Sequence, residues 1–86
     1  MWYVYFLENK EKQYLYTGST GNLKRRLGQH NDGESLATKP YIPLTLSAYV
    51  AVDTEQKARS LEAYFKSGSG KAILKKRILQ TEVQQD

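Results

Sequence analysis

The chain has 86 residues, a formal net charge of +4 and seven tyrosines, and this length allows one small domain built around a single core. The absence of cysteine excludes disulfides and thiolate zinc sites, and the single histidine excludes a multi-histidine metal centre, so any metal must be held by carboxylates. No apolar run approaches the roughly 20 residues that span a bilayer, and no signal-peptide pattern opens the chain, so we expect a cytoplasmic protein without membrane contact.

Two strands joined by a short polar turn are predicted at the N-terminus. Residues 1–7 are mostly aromatic and branched, which is typical of a strand that is buried on both faces. The wholly polar residues 8–13 would turn the chain into a second strand at residues 14–17. We therefore expect an antiparallel hairpin.

The register of this hairpin decides which tyrosines meet. With the turn centred between Lys10 and Glu11, Tyr5 lies opposite Tyr16, and both phenols share one face of the sheet. An aromatic cross-strand pair that only stabilises the sheet would explain the same two residues. The hairpin by itself leaves both interpretations open.

A glycine-bracketed turn and a short helix follow the second strand. Asn22 is the predicted N-cap, and the turn-forming residues 31–33 end the helix. Arg26 and His30 are one helical turn apart and share a face, whereas Arg25 points about 100° away from Arg26. A phenol, a guanidinium and an imidazole that lie close together could bind a phosphate. The simpler interpretation is that Arg26 and His30 face solvent and have no functional role.

The middle of the chain predicts a loop and a third strand. Residues 34–43 lack periodicity and contain both prolines, which indicates a loop beside the cleft. Residues 44–52 alternate apolar with polar or small side chains, as a half-buried strand does. We expect a small α/β (α+β) fold, a three-stranded antiparallel sheet flanked by helices, over residues 1–80, with a polar tail at 81–86.

A second helix is predicted after this strand. Either Asp53 or Thr54 caps it, and one acidic residue, Glu62, lies beside its buried face. A surface ion pair of Glu62 with Lys66 or Arg59 would explain that carboxylate without a functional role. The buried positions of this helix are Ala58, Leu61 and Phe65.

A third helix is predicted at residues 71–80, after the Ser/Gly break at 67–70. Its inward positions are Ala72 or Ile73, Leu74 and Ile78. Its outer face is basic, and Glu62 is the one acidic residue between Lys57 and Arg77. A basic surface favours a polyanionic partner, although a solvated helix face has the same composition.

Several separately placed residues resemble the signature of a nuclease family. Tyr3-Val4-Tyr5 is followed after ten residues by Tyr16-Thr17-Gly18, and then by Asn22, Arg26 and His30. This pattern is similar to that of the GIY-YIG nuclease domain. The chain most resembles the small stand-alone bacterial members, which are related to the amino-terminal nuclease domain of the excinuclease. Tyr3 stands where the first motif usually has glycine, and Thr17 replaces an aliphatic residue of the second.

The resemblance implies a metal-dependent endonuclease that hydrolyses phosphodiester bonds. Tyr5 would help to activate water with Tyr16 in support, Arg26 would bind the phosphate, and Glu62 would weakly hold Mg²⁺ or Mn²⁺. His30 would orient the water or relay its proton, so the base is either Tyr5 or His30. Because nearby positive charge favours phenolate, we expect Arg26 and the metal to lower the pKa of Tyr5.

The predicted substrate is DNA, with structured DNA or RNA as alternatives, and we expect a monomer or a weak homodimer. The basic residues expected to contact nucleic acid are Lys24, Arg25, Lys39, Lys66, Lys71, Lys75 and Lys76. The alternative function is a catalytically weak or inactive nucleic-acid-binding module, because no asparagine follows Asn31 where the family often has one after its metal-binding glutamate. A scaffold with an aromatic binding surface is a third interpretation, and unlike phosphate binding it would tolerate salt.

Overall fold

A three-stranded antiparallel sheet forms the centre of the molecule. The computed structural model describes residues 1–79, and its strands are β1 (Trp2–Asn9), β2 (Tyr14–Thr20) and β3 (Thr45–Val52), in the order β2-β1-β3. The central position of β1 explains why four consecutive residues, Val4 to Leu7, are buried. The predicted sheet and the α+β fold class are confirmed.

The helices connect and cover the strands. Helix α1 (Leu23–Asn31) follows β2, helix α2 (Glu55–Lys66) follows β3, and helix α3 (Gly68–Ile73) continues into a π-helical segment (Leu74–Leu79). The predicted loop between α1 and β3 contains one 3₁₀ turn, Lys39–Tyr41. Within the described residues, no helix combines the length and the apolar character that crossing a membrane requires.

Apolar clusters lie on both faces of the sheet, because successive side chains of a strand point to opposite sides. On one face, Val4 and Phe6 pack against α2 and the segment after it, with the rings of Phe6 and Phe65 edge to face at 5.3 Å. On the other face, Tyr5 and Leu7 pack against Leu44. The half-buried residues that complete this second cluster are Tyr14, Tyr16, Leu23, Leu27, Tyr41, Ile42 and Leu46.

The hairpin register differs from the predicted one by two residues. Tyr5 lies opposite Gly18, not opposite Tyr16. The prediction was wrong because the polar end of β1 belongs to the strand: Asn9 is buried, and its side chain donates a hydrogen bond to the carbonyl oxygen of Tyr41 at 2.8 Å. A shift of two residues preserves the face of each side chain, so the predicted common face of Tyr5 and Tyr16 is confirmed.

A capping side chain begins each of the three α-helices. Asn22, Thr54 and Ser67 each accept a hydrogen bond from the backbone N–H three residues later. Asn22 was the predicted cap, and the choice left open between Asp53 and Thr54 falls on Thr54. The cap at Ser67 starts the last helix three residues before the predicted Lys71, which corrects that boundary.

The predicted inward face of the last helix was partly wrong. Leu74 is fully buried as expected, but Ala72, Ile73 and Ile78 are exposed, and Leu79 packs on the core instead. The π-helical turns rotate the side chains relative to an α-helix, which moves the core contact from Ile78 to Leu79. In the α-helical part, Gly70 and Leu74 face the core one turn apart, and this leaves Ala72 and Ile73 exposed. The predicted polar tail, 81–86, lies outside the described residues.

Candidate active site

Three of the predicted catalytic side chains form one aromatic cluster on the α1 face of the sheet. The ring of His30 lies 5.7 Å from that of Tyr5 and 5.0 Å from that of Tyr16, and the two tyrosine rings are 6.2 Å apart. The Tyr5 hydroxyl and His30 Nε2 are hydrogen-bonded at 2.8 Å. Residues from β1, β2 and α1 therefore meet at one point.

Gly18 provides the space in which this cluster forms. It lies directly opposite Tyr5 on β2, and a Cβ atom at Gly18 would be 2.5 Å from the Tyr5 hydroxyl and 2.9 Å from the ring of Tyr16. Contacts that short essentially never occur, so any larger residue would displace both phenols. The glycine is required here because of close approach.

Arg26 joins the cluster from α1, as the helical spacing predicted. It is half-buried beside the Tyr5 hydroxyl, whereas Arg25 is exposed. Arg26 Nη1 donates a hydrogen bond to Gln29 Oε1 at 3.0 Å, which holds the guanidinium along the helix. A recess of about 360 Å³ at the start of α1 is lined by Thr20, Gly21, Asn22, Arg25, Arg26 and Gln29. One side of the guanidinium is therefore open to an anion.

His30 is buried between two hydroxyl groups. Its Nε2 contacts Tyr5, and its Nδ1 lies 2.8 Å from the hydroxyl oxygen of the fully buried Thr38. Burial, together with the charge of Arg26, lowers the pKa of His30 below its usual 6.5. The imidazole is therefore neutral at pH 7 and has both ring nitrogens paired.

The pKa of Tyr5 moves in the direction opposite to the expected one. Burial raises it to about 12, although Arg26 acts to lower it, and the charges of Tyr16 and Glu62 add to the rise. The expected net lowering of this pKa was wrong for the free protein: Arg26 does act to lower it, but Tyr5 is only 1% exposed, and desolvation of a phenolate outweighs one neighbouring cation. Tyr5 is a neutral phenol at pH 7.

Glu62 approaches the cluster from α2, on the opposite face of the sheet. Its Oε1 accepts a hydrogen bond from Ser19 on β2 at 2.6 Å, and its Oε2 accepts one from Lys66 at 2.7 Å. Burial acts to raise the pKa of this carboxyl, but the hydrogen bonds from Lys66 and Ser19 and the charge of Arg59 outweigh burial, so the pKa lies below 4.5. Glu62 is a charged, partly exposed carboxylate.

A surface ion pair was the alternative explanation for Glu62, and the pair with Lys66 does form. Arg59, the other possible partner, bonds to Glu55 at 2.6 Å. The charge of Glu62 also raises the pKa of Tyr5. Glu55 instead lies in the first turn of α2, where a negative charge interacts favourably with the helix dipole. The ion pair with Lys66 therefore does not prevent the charge of Glu62 from acting on Tyr5.

The residues near the cluster could hold a divalent cation only if substrate phosphate and water supplied the remaining ligands. Within residues 1–79, no three His, Asp or Glu side chains come together, and Glu62 is a carboxylate whose charge acts on Tyr5. Mg²⁺ is commonly held by one or two carboxylates together with substrate phosphates and water. A charged Glu62 meets that requirement, provided that the metal displaces or shares Oε2 with Lys66.

The predicted nucleic-acid contacts are distributed over separate surfaces. Lys66, Lys71 and Lys75 line one groove with Tyr16 at the edge of β2. Lys24 and Arg25 are exposed on α1, and Lys39 begins the 3₁₀ turn, where its side chain lies over Gly33. Lys76 is exposed on the π-helical segment. The first three therefore lie together with Tyr16, and Arg25 lines the recess beside Arg26.

Comparison with known proteins places these features in a family. The family model described as the GIY-YIG catalytic domain matches residues 1–77 of the sequence. The chain belongs to the GIY-YIG family. UPF0213 proteins of Streptococcus pyogenes serotypes M5, M2 and M3 are each 43% identical over 65 residues, which cover 74% of this chain and 70% of each relative. No solved structure matches the chain. The GIY-YIG assignment implies a nuclease-type fold with nucleic acid as its substrate.

Three contributors to this GIY-YIG site were not assigned by the sequence. Thr38 orients His30, Ser19 holds Glu62, and Gln29 holds Arg26. Gln29 is three residues from Arg26 on one helix, and that spacing is a usable signal. Ser19 and Glu62 are 43 positions apart, and no local pattern links them.

Proposed function

We propose that this GIY-YIG domain is a divalent-metal-dependent endonuclease that hydrolyses phosphodiester bonds in DNA, with structured DNA or RNA as further substrates. One observation carries the proposal: the hydroxyl of Tyr5 is hydrogen-bonded to Nε2 of His30 at 2.8 Å, and both the guanidinium of Arg26 and the charge of Glu62 act on it. These groups can bind a phosphate, transfer a proton and hold a cation at a single point.

Arg26 would bind the scissile phosphate. Its planar guanidinium can donate two parallel hydrogen bonds to phosphate oxygens, and its charge stabilises the negative charge that develops on them. Because Arg26 lies beside the Tyr5 hydroxyl, a phosphate held there is next to that phenol. Substrate binding and proton transfer thus share one location.

Tyr5 and His30 would form a proton relay. The neutral phenol would donate its proton to Nε2 of the neutral His30, and its oxygen would accept a proton from the attacking water. Because the two transfers occur together, no isolated phenolate has to form in the buried site. This direction requires the tautomer with the proton on Nδ1, which donates to Thr38 Oγ1 and leaves Nε2 free to accept; the Thr38 hydroxyl donates in turn to the carbonyl oxygen of Ser35. The base is then the Tyr5–His30 pair rather than either residue alone.

Glu62 would hold the Mg²⁺ or Mn²⁺, whose chemistry is to polarise the phosphate and to stabilise the departing alkoxide. Ser19 keeps one oxygen of Glu62 in place from β2. Tyr16, which is half-buried and lines the neighbouring groove, would face the substrate rather than the relay. Each residue predicted from the family resemblance thereby has a distinct task.

A nucleic-acid-binding module without turnover is the second candidate. It is favoured by one observation, the ammonium of Lys66 at 2.7 Å from Oε2 of Glu62, which occupies the place of a cation. If no metal displaces this side chain, the domain binds phosphates and does not cut them. The two candidates differ in metal dependence.

Cleavage assays with matched variants test the proposal. Supercoiled, branched and single-stranded DNA is incubated with Mg²⁺ or Mn²⁺ and with wild type, Arg26→Ala or Glu62→Gln. We expect metal-dependent nicking by wild type and its loss in both variants. The controls Arg77→Ala and Glu55→Gln change exposed or paired residues of the same types outside the cluster and should cut like wild type. Binding without cutting by wild type would establish the second candidate.

A further inference from the structure

A basic groove of about 380 Å³ runs from the active site along the edge of the sheet. Its floor is the edge strand β2 with the turn before it, and its wall is the end of α2 and the segment that follows. The lining residues are Gln13, Tyr14, Leu15, Tyr16, Thr17, Lys66, Lys71 and Lys75. No acidic side chain belongs to this lining.

The groove is continuous with the candidate active site. Tyr16 lies in the aromatic cluster and also lines the groove, and Lys66 bonds to Glu62 while its charge interacts with the Tyr16 hydroxyl. A polymer whose reacting phosphate lies at the cluster extends beyond it on both sides of that phosphate, and Tyr16 connects the cluster to the groove. The groove offers a path for it.

Lys71 and Lys75 place two further positive charges along this path. They are one helical turn apart and both exposed, and within residues 1–79 neither forms an ion pair, in contrast to Lys57 and Lys66. Two uncompensated ammonium groups beside a polar strand edge attract a polyanion whose charges are spaced along a line. A nucleic-acid backbone has this charge arrangement.

We infer that this groove holds the phosphate backbone of one nucleic-acid strand on one side of the scissile phosphate, with Lys71 and Lys75 each contacting a phosphate. The inference rests on the proposed nuclease function, since the groove begins at Tyr16. It assigns these lysines to substrate positioning along the strand. It also separates them from Lys24 and Arg25, which lie on α1 away from the groove.

Salt-dependent binding tests the groove independently of cleavage. A fluorescein-labelled 20-nucleotide single strand and the corresponding duplex are titrated with the full chain in EDTA, at several salt concentrations. For Lys71→Gln/Lys75→Gln we expect weaker binding and a slope of log K against log salt that is reduced by about 1.4 for the single strand, or about 1.8 for the duplex, because two phosphate contacts are lost. Equal melting temperatures would show that the variant is folded.

A charge-matched variant is the control. Lys10→Gln/Arg77→Gln removes the same charge from exposed positions outside the groove that form no ion pair within residues 1–79, and it should keep the wild-type slope. Three results would overturn the inference. The slope could be unchanged in the groove variant, it could fall equally in the control, or it could fall only in Lys24→Gln/Arg25→Gln. Since EDTA prevents metal-dependent cutting, a wild type that never cuts DNA would refute the nuclease proposal and would leave this binding result readable on its own.

Discussion

Gly18 lies opposite Tyr5 on the neighbouring strand, and the missing side chain of Gly18 is the space occupied by the Tyr5 hydroxyl. Residues from both faces of the sheet act on this phenol: His30 and Arg26 from α1, and Glu62 from α2. The cross-strand partner of the buried tyrosine is thus a glycine for steric reasons.

Substituting Gly18 by alanine should disrupt the site. The new Cβ would be 2.5 Å from the Tyr5 hydroxyl, so we expect a loss of about 1–3 kcal/mol in the free energy of unfolding and the loss of cleavage. Urea unfolding and a plasmid-nicking assay measure the two effects. Gly28→Ala is the matched control: nothing lies within 4 Å of its Cβ, and it should stabilise α1 by about 0.5–1 kcal/mol. Similar stability changes in both variants would contradict the steric argument.

Removing the Thr38 hydroxyl should change the tautomer of His30. In Thr38→Val, Nδ1 of the buried imidazole loses its partner, at a cost of about 1–3 kcal/mol in unfolding free energy. NMR of the single histidine should show Nδ1–H in wild type and a mixture in the variant, with slower cleavage. Thr45→Val, at an exposed threonine of β3, should change stability by less than about 0.5 kcal/mol. A wild-type imidazole protonated at Nε2 argues against the relay direction.

The stability of the fold should fall as the solution becomes mildly acidic. The pKa of His30 is lowered in the folded state, so the unfolded chain binds the proton first and is stabilised relative to the folded state as pH drops below 6.5. The stabilisation is complete above that pH, and the loss ends once pH is below the folded pKa. Denaturant titrations between pH 8 and 5 should show this decline in wild type and not in His30→Gln, since the chain has one histidine. A pH-independent wild type in that range contradicts the assignment.

Lys66 should compete with metal for Glu62. Lys66→Met removes the ammonium from Oε2, so Mn²⁺ should bind more tightly, by at most about fivefold, which corresponds to the roughly 1 kcal/mol upper value for an exposed ion pair. Electron paramagnetic resonance of free Mn²⁺ measures this without nucleic acid. Lys57→Met, which breaks the other lysine pair of α2, serves as the comparison. Equal affinities in the two variants would show that Lys66 does not occupy the metal position.

Local rules were enough for several parts of the site. The one-turn spacing of Arg26 and His30 correctly separated Arg26 from its exposed neighbour Arg25. The capping residue Asn22 correctly predicted where α1 begins. The alternation of strand residues correctly predicted that Tyr5 and Tyr16 share one face of the sheet. The cap and the spacing of Arg26 and His30 depend on neighbours within about four residues, which the sequence displays directly. The common face of the two tyrosines was predicted correctly because the register error was an even number of residues.

Contacts between distant residues depended on the tertiary structure. The polar end of β1 was assigned to a turn because its stabilising partner, the carbonyl of Tyr41, is 32 positions away. The pKa of Tyr5 rises because the folded core excludes water from the phenol, and the sequence does not show how deeply a residue is buried. Ser19 meets Glu62 only because α2 packs across β2. The sequence by itself determined which chemical groups are present and how each element forms, whereas packing decided which groups meet and in which charge state.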